Sequence, residues 1–407
     1  MTAALEPTQR IVVPLAQEHP KRKRPVQLPK TTAVPILLLL LALWIPQGQA
    51  ATPIPAPPQV AASGHLLVDY DSGRVLSEEN ADQRLEPASL TKIMTAYVVM
   101  RELKQGNITL EEPVRVSRKA WKAPGSRMFI EVDKQVSVDL LLKGMIIQSG
   151  NDASIALAEH IAGSEEIFAN LMNEHARRLG MRNTHFDNST GLPSDNHYTT
   201  PRDIALVAAA TIREFPEYYA WYAIREMRFN DIKQHNRNRL LWRDESVDGI
   251  KTGHTEAAGF CLVASARRDD QRLISVVMGT KSDDARARES QALLNYGFRF
   301  FETHRLYGAG EALTRVRIWK GSQEQLPLGL GADLHVTIPR NQYKNLKADM
   351  RIEPGITAPV AKGAVLGSVH LTLGGEALEQ VPLIALEQVD AGGLWQSTKD
   401  SVLLWFE

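Results

Sequence analysis

Pro87-Ala88-Ser89-Leu90-Thr91-Lys92 runs directly into Ile93-Met94-Thr95-Ala96-Tyr97-Val98-Val99-Met100, an apolar run that predicts a buried helix. Pro87 suits the start of that helix, because a first-turn position has no intrahelical N–H bond to lose. Ser89 then falls at or near the helix N-terminus. Lys92 follows one turn later, so the two side chains share a face. A hydroxyl beside an amine at the positive end of a helix dipole is a candidate activated nucleophile. The competing reading is plain: Ser89 as an N-cap and Lys92 as an exposed charge. On its own, S-x-x-K arises by chance about once or twice in a chain this long.

Two further motifs change the balance. Ser149-Gly150-Asn151 sits between two clear helical patterns, 139–147 and 153–161. Lys251-Thr252-Gly253 comes just before 260–266, which reads as a buried strand. K-T-G alone would occur by chance in about one chain in ten of this length. The three motifs in this order and these contexts are specific. With Gln234-His-Asn-Arg-Asn238, Asp248-Gly-Ile-Lys-Thr-Gly-His-Thr255 and Gly297-Phe-Arg-Phe-Phe301, the chain resembles the D-alanyl-D-alanine carboxypeptidases of the low-molecular-mass penicillin-binding protein 5 and 6 type. The resemblance covers nearly all of the chain beyond its first fifty residues. It implies an α/β (α+β) fold like that of the serine β-lactamases and transpeptidases: an antiparallel sheet with a helical lobe. A small all-β C-terminal domain and an amphipathic tail helix would follow.

That resemblance assigns roles residue by residue. Ser89 would attack the carbonyl between two D-alanines, and Lys92 would take its proton. An ordinary lysine costs about 4–5 kcal/mol to hold neutral at pH 7; burial and a second cation, here Lys251, would lower that cost. Ser149 would relay a proton to the leaving amine, and Asn151 would orient Lys92. The backbone N–H groups of Ser89 and His254 would form the oxyanion hole. Thr252 and Arg286, beside Gly253, would hold the substrate's terminal carboxylate, unless Arg286 is only a surface ion pair. Arg237 reads more simply as a structural tie between the loop before Lys251 and the lobe. The implied substrate is the peptidoglycan stem pentapeptide, with β-lactams acylating the same serine. No metal-ligand spacing is seen among the histidines, so neither metal nor other cofactor is expected.

Two alternatives remain. A β-lactamase is disfavoured because the middle motif is S-G-N and no E-x-x-L-N follows Ser149. A non-catalytic wall-binding scaffold would leave the intact catalytic set without a purpose.

Charge and leader point to export. Lys21-Arg-Lys-Arg24 precedes an apolar core, 33–45, and Pro46-Gln-Gly-Gln-Ala50. This reads as a signal peptide over residues 1–50, with Gly48 and Ala50 as the small residues before cleavage at Ala51. The core is short of the roughly 20 residues of a membrane span, so an uncleaved anchor is the lesser reading. The whole chain has 47 basic and 47 acidic side chains; without residues 1–50 these become 41 and 45, a net of −4. That excludes a basic nucleic-acid binder. The expected location is the periplasmic face of the bacterial cytoplasmic membrane, held peripherally. Cys261 is the only cysteine, so packing alone must stabilise the chain, and Cys261 itself reads as a core residue.

From the C-terminal side of the leader, residues 51–63 read as a Pro/Ala-rich linker. Residues 64–304 form the catalytic domain: a hairpin about Asp71-Ser-Gly73, a helical stretch to about 230, strands at 260–266 and 272–278, and a helix over 285–301. Residues 312–390 show short alternating apolar runs, the mark of a β domain. Ala391-Gly392-Gly393 is a hinge before a tail, 391–407, that is amphipathic if helical. Trp395, Thr398, Val402, Trp405 and Phe406 lie on one side. Gln396, Lys399, Asp400 and Glu407 lie on the other, interrupted by Leu403. This predicts an interfacial membrane helix; packing against the β domain is the alternative.

Overall fold

The computed structural model describes residues 9–13 and 54–403. The apolar leader segment, Trp405 and Phe406 lie outside them. The chain divides into two units. Among the described residues, Ala56–His304 with Val336–Arg340 form one; Arg305–His335 and 341–403, with 9–13 and 54–55, form the other.

The first unit is a five-stranded antiparallel sheet with a helical lobe inserted in the sequence. The opening hairpin pairs β1 (Gly64–Asp69) with β2 (Val75–Glu79). Its turn is closed by the Asp69 carboxylate, which accepts the Asp71 and Ser72 N–H groups at 3.2 and 2.9 Å. The lobe follows. Then come β3 (Val247–Thr255), β4 (Gly259–Arg268) and β5 (Gln271–Thr280), giving the order β2-β1-β5-β4-β3. β3 is therefore an edge strand.

Alternation along these strands feeds two cores. Leu67, Leu262, Leu273 and Val277 pack with Leu293, Leu294 and Phe298 of the last helix of the unit, Asp283–Phe300. Leu66, Val263, Ile274 and Val276 pack with the lobe. A sheet buried on both faces carries apolar side chains at successive positions, which is why 260–266 and 272–278 were readable as strands.

At the centre of the lobe stands α1 (Thr91–Gln105), whose first ten residues are all buried. Around it lie α2 (Val138–Ile147), α3 (Asn151–Ala162), α4 (Glu165–Arg178) and α5 (Pro201–Glu214); the Asp283–Phe300 helix is α6. Ser89 is not an N-cap. It sits inside a single 3-10 turn, Ala88–Leu90, that leads into α1, and neither helix has a side-chain cap.

Three expectations need correction. The linker is not free throughout: Val60 is 8% exposed within the α6-side core, and the Ser63 N–H donates to the Met278 carbonyl at 2.8 Å. Residues 336–340, expected within the β domain, belong to the first unit, where Thr337 Oγ lies 2.6 Å from Ser72 Oγ. Residues 9–13, expected within the leader, form a short strand of the second unit.

That second unit holds a six-stranded antiparallel sheet in the order Gln9–Val13, Leu346–Ile352, Val365–Leu373, Glu376–Ala385, Gln325–Gly329, Ala312–Arg317. Leu326, Leu328, Met350, Val369, Leu371 and Leu383 are buried. The tail is helical over Leu394–Leu403. On its polar side Lys399 is exposed as expected, but Asp400 is not. Asp400 is 2% exposed and accepts the Lys320 N–H at 2.7 Å, while Trp395 is 85% exposed. The helix is docked through an acidic side chain that a helical wheel assigns to water.

One glycine locks the lobe onto the nucleophile turn. Gly191 has φ +81°, and a Cβ there would lie 1.7 Å from the Ala88 carbonyl oxygen. Gly191→Ala should lower stability by about 3 kcal/mol or more, because it combines a left-handed backbone with a backbone clash. Chemical denaturation of the two proteins measures this directly.

Candidate active site

Four elements converge on Lys92. α1 carries it, and the preceding 3-10 turn carries Ser89. The loop before α3 carries Ser149, and α3 begins at Asn151. Lys92 is 1% exposed. Its Nζ lies 3.1 Å from Ser89 Oγ, 2.6 Å from Asn151 Oδ1 and 2.5 Å from the Thr190 carbonyl. Burial lowers its pKa to about 7, against the opposing pull of Asp152 and Glu165.

The geometry then fixes the direction of reactivity. A neutral amine has two N–H groups and one lone pair. Asn151 Oδ1 and the Thr190 carbonyl can only accept, so they take both N–H groups. The lone pair is left facing Ser89 Oγ. Asn151 is itself oriented, since its Nδ2 donates to the Pro124 carbonyl at 2.6 Å. Ser149 Oγ is buried and has no hydrogen-bond partner among the described residues.

Lys251, Thr252, Gly253 and His254 lie on the edge strand β3, which directly precedes β4. They pair with Val263, Leu262, Cys261 and Phe260 of β4. A Cβ on Gly253 would come within 3.0 Å of the Pro87 carbonyl and 3.3 Å of the Leu90 nitrogen, so the strand is pressed against the nucleophile turn. Asn238 ties β3 to the lobe by donating from Nδ2 to the Gly249 carbonyl at 2.9 Å.

Lys251 is buried and its pKa is held well below the ordinary value, first by burial and then by Lys92, Arg237 and Arg286. The second cation expected to tune Lys92 is thus itself depressed, and burial is the main cause for both amines. His254 is exposed, its ring 4.0 Å from that of Phe260. Its side chain stays at the rim while its backbone lies along the cleft.

Arg286 is not a surface ion pair. It is buried, donates to the Gly253 carbonyl at 2.9 Å and pairs with Asp283, and burial lowers its pKa. Arg237 is the tie the sequence suggests: it donates to the Gln148 carbonyl at 3.2 Å and to Ser126 Oγ at 3.0 Å. It also borders the cleft, a volume of about 820 Å³ that Ser89, Ser149, Thr252, Gly253, His254 and Arg286 line as well.

Sequence reasoning missed two contributors. Asp152 accepts the N–H groups of Met128, Phe129 and Ile130 at 3.0, 2.9 and 3.3 Å, fixing the cleft wall. Its place directly after the S-G-N motif was the available signal. Thr190 acts through its carbonyl, which no side-chain pattern reveals.

A serine at a cleft, paired with a buried lysine beside an edge strand, is the arrangement of a serine acyl-transfer enzyme, and the comparisons agree. Residues 51–282 match the D-alanyl-D-alanine carboxypeptidase family and residues 301–391 the penicillin-binding protein 5 C-terminal domain. The chain is 48% identical over 374 residues to D-alanyl-D-alanine carboxypeptidase DacC of Escherichia coli K12, across 90% of this chain and 94% of that one. Penicillin-binding protein 5 from Haemophilus influenzae superposes with a TM-score of 0.80 at 42% identity, covering 82% of this chain and 99% of that structure. Penicillin-binding protein D2 from Listeria monocytogenes, in its ampicillin-bound form, gives 0.55 at 28% identity over 59% of this chain and 98% of its own. The chain belongs to the D-alanyl-D-alanine carboxypeptidase family and is a serine peptidase.

Because only neutral Lys92 has a lone pair for Ser89, acylation should rise with pH through about 7. Lys92→Met should reduce acylation by at least about a thousandfold, and should lower the melting temperature, because it leaves Asn151 Oδ1 and the Thr190 carbonyl buried without their donor. A pH–rate profile and a thermal melt test the two halves.

Proposed function

We propose that this enzyme removes the terminal D-alanine from peptidoglycan stem pentapeptides through an acyl-enzyme on Ser89. The observation that carries the reading is the buried Lys92 amine, held by Asn151 Oδ1 and the Thr190 carbonyl with its Nζ 3.1 Å from Ser89 Oγ, so that its neutral form turns the lone pair to that hydroxyl. Ser89 Oγ attacks the carbonyl between the two D-alanines as its proton passes to Lys92 Nζ. The oxyanion that forms is held by the backbone N–H groups of Ser89 and His254; a donor of this kind contributes about 3–4 kcal/mol to the transition state. When the C–N bond breaks, the proton moves from Lys92 by way of Ser149 Oγ to the leaving amine. Water then attacks the ester, with Lys92 again accepting the proton.

Thr252 Oγ and the Arg286 guanidinium supply the pole for the terminal carboxylate, and Lys251 adds its donor to the same wall. β-Lactams present a strained amide to the same serine. The ampicillin-bound form of the Listeria relative supports that extension.

The leader pattern supports export, and the protein works at the periplasmic face of the cytoplasmic membrane. The tail holds it there: Leu394 and Trp395 are 91% and 85% exposed, an apolar end left free while Asp400 fixes the helix to its own unit.

D-Alanine release from a peptide ending in Lys-D-Ala-D-Ala is the primary test. Release should be abolished in Ser89→Ala, and release that persists in that variant excludes the proposed nucleophile. Chains ending at Ala391 should keep full peptidase activity but leave the membrane fraction on cell fractionation. Continued sedimentation with membranes would assign the anchoring elsewhere.

A further inference from the structure

The Thr190 carbonyl takes one of the two N–H groups of Lys92, yet it belongs to an irregular loop between α4 and α5. A group that orients an amine must itself be held to a few tenths of an ångström. What holds it lies one residue earlier. Ser189 donates both its N–H and its Oγ–H to one oxygen of the Glu165 carboxylate, at 3.1 and 2.8 Å. The Ser189 carbonyl accepts from Thr95 Oγ of α1 at 2.6 Å and from Ser154 Oγ of α3 at 2.8 Å. Thr190 and Gly191 then turn about the Asn188 side chain, whose Oδ1 accepts both N–H groups, at 3.1 and 2.8 Å.

Glu165 is the only acidic side chain of this set. It is the first residue of α4, is 7% exposed, and its second oxygen meets Lys119 Nζ at 3.0 Å. A carboxylate is a costly choice for a buried site unless its charge or its acceptor capacity is used.

We propose that Glu165 is a positioning residue for Lys92: its carboxylate fixes Ser189, and through it the Thr190 carbonyl that aims the Lys92 lone pair at Ser89. This rests on the reading of Lys92 as the base that deprotonates Ser89. Glu165 also sets the field at the amine. Asp152 and Glu165 both favour the ammonium form of Lys92, while burial opposes it. Lys92 lowers the Lys251 pKa, after burial, and His197, buried against α1 through Thr91, has its own pKa lowered to about 4 by burial and contributes no charge near neutrality. Removing the Glu165 charge therefore disfavours the ammonium and moves the Lys92 titration to lower pH.

The test is the second-order rate constant for acylation of the full chain by benzylpenicillin, followed by denaturing mass spectrometry from about pH 5 to about pH 9. Counting only acylatable molecules separates rate from folded fraction. Glu165→Ala removes the anchor, and the high-pH plateau should fall about tenfold to a hundredfold. Glu165→Gln keeps an oxygen for Ser189 but not the charge; its plateau should return to within about threefold of the parent, with the midpoint lower by about half a pH unit to one. A purely structural role would change the folded fraction and move neither plateau nor midpoint. A folded Glu165→Ala protein with the parent plateau overturns the proposal. So does a Glu165→Gln midpoint that stays in place, which decides the matter alone should the alanine variant not fold. The parent's own rise through about pH 7 and the loss of acylation in Lys92→Met test the underlying reading of Lys92 independently.

Discussion

Everything in the catalytic unit serves one awkward requirement, a lysine amine buried and uncharged in contact with a serine hydroxyl. Burial alone would make Lys92 a poor donor to nothing, with two N–H groups desolvated at about 1–3 kcal/mol each. The fold meets that cost with two acceptors from separate parts of the chain: Asn151 at the start of α3, and the Thr190 carbonyl from the loop beyond α4. Neither could reach the amine unless α1 stood at the centre of the lobe with its first ten residues buried. The position of the helix and the protonation state of its lysine are thus one constraint.

Segments next to the cleft hold backbone in unfavourable conformations. Ala88, Phe129 and Ser149 have φ of 45°, 70° and 67°, in the left-handed region that non-glycine residues avoid. Each costs of order 1–3 kcal/mol and persists only where the surroundings over-determine it. Around Phe129 the restraint is the Asp152 carboxylate, which gathers three successive N–H groups. Around Ala88 it is the tight approach of Gly191 and Gly253. Backbone held rigidly beside the nucleophile keeps the donor and acceptor geometry fixed before substrate arrives.

Much of this could be read beforehand, for reasons that also mark the limit. Ser89 and Lys92 share a helical turn, so local periodicity joins them; Ser149 and Asn151 fall where one helix stops and another begins. β3 was missed as a strand because Lys251-Thr252-Gly253-His254 lacks apolar alternation. Its extended form comes from pairing with β4, a tertiary cause invisible in the local pattern. The Thr190 carbonyl has no sequence signature at all. Asp400 shows a different limit: a helical wheel separates faces but does not say which face a neighbouring loop will claim, and here the Lys320 N–H claims the acidic one. Residues 336–340 likewise carry the alternation of their neighbours while belonging to the other unit.

Cys261 is the solitary thiol of the chain, wholly inaccessible on β4 opposite Gly253, with burial pushing its pKa up to about 11. Such a sulfur is chemically silent in the native protein, neither a thiolate nor reachable by a reagent. Its side chain lies in the core between the sheet and the lobe, so it becomes visible only when that core opens, an event that would also dismantle the cleft. The molecule therefore carries an intrinsic clock for its own opening. The pace at which a thiol-specific reagent marks this one atom reports how often that core opens, with no probe introduced and no second thiol to confuse the count.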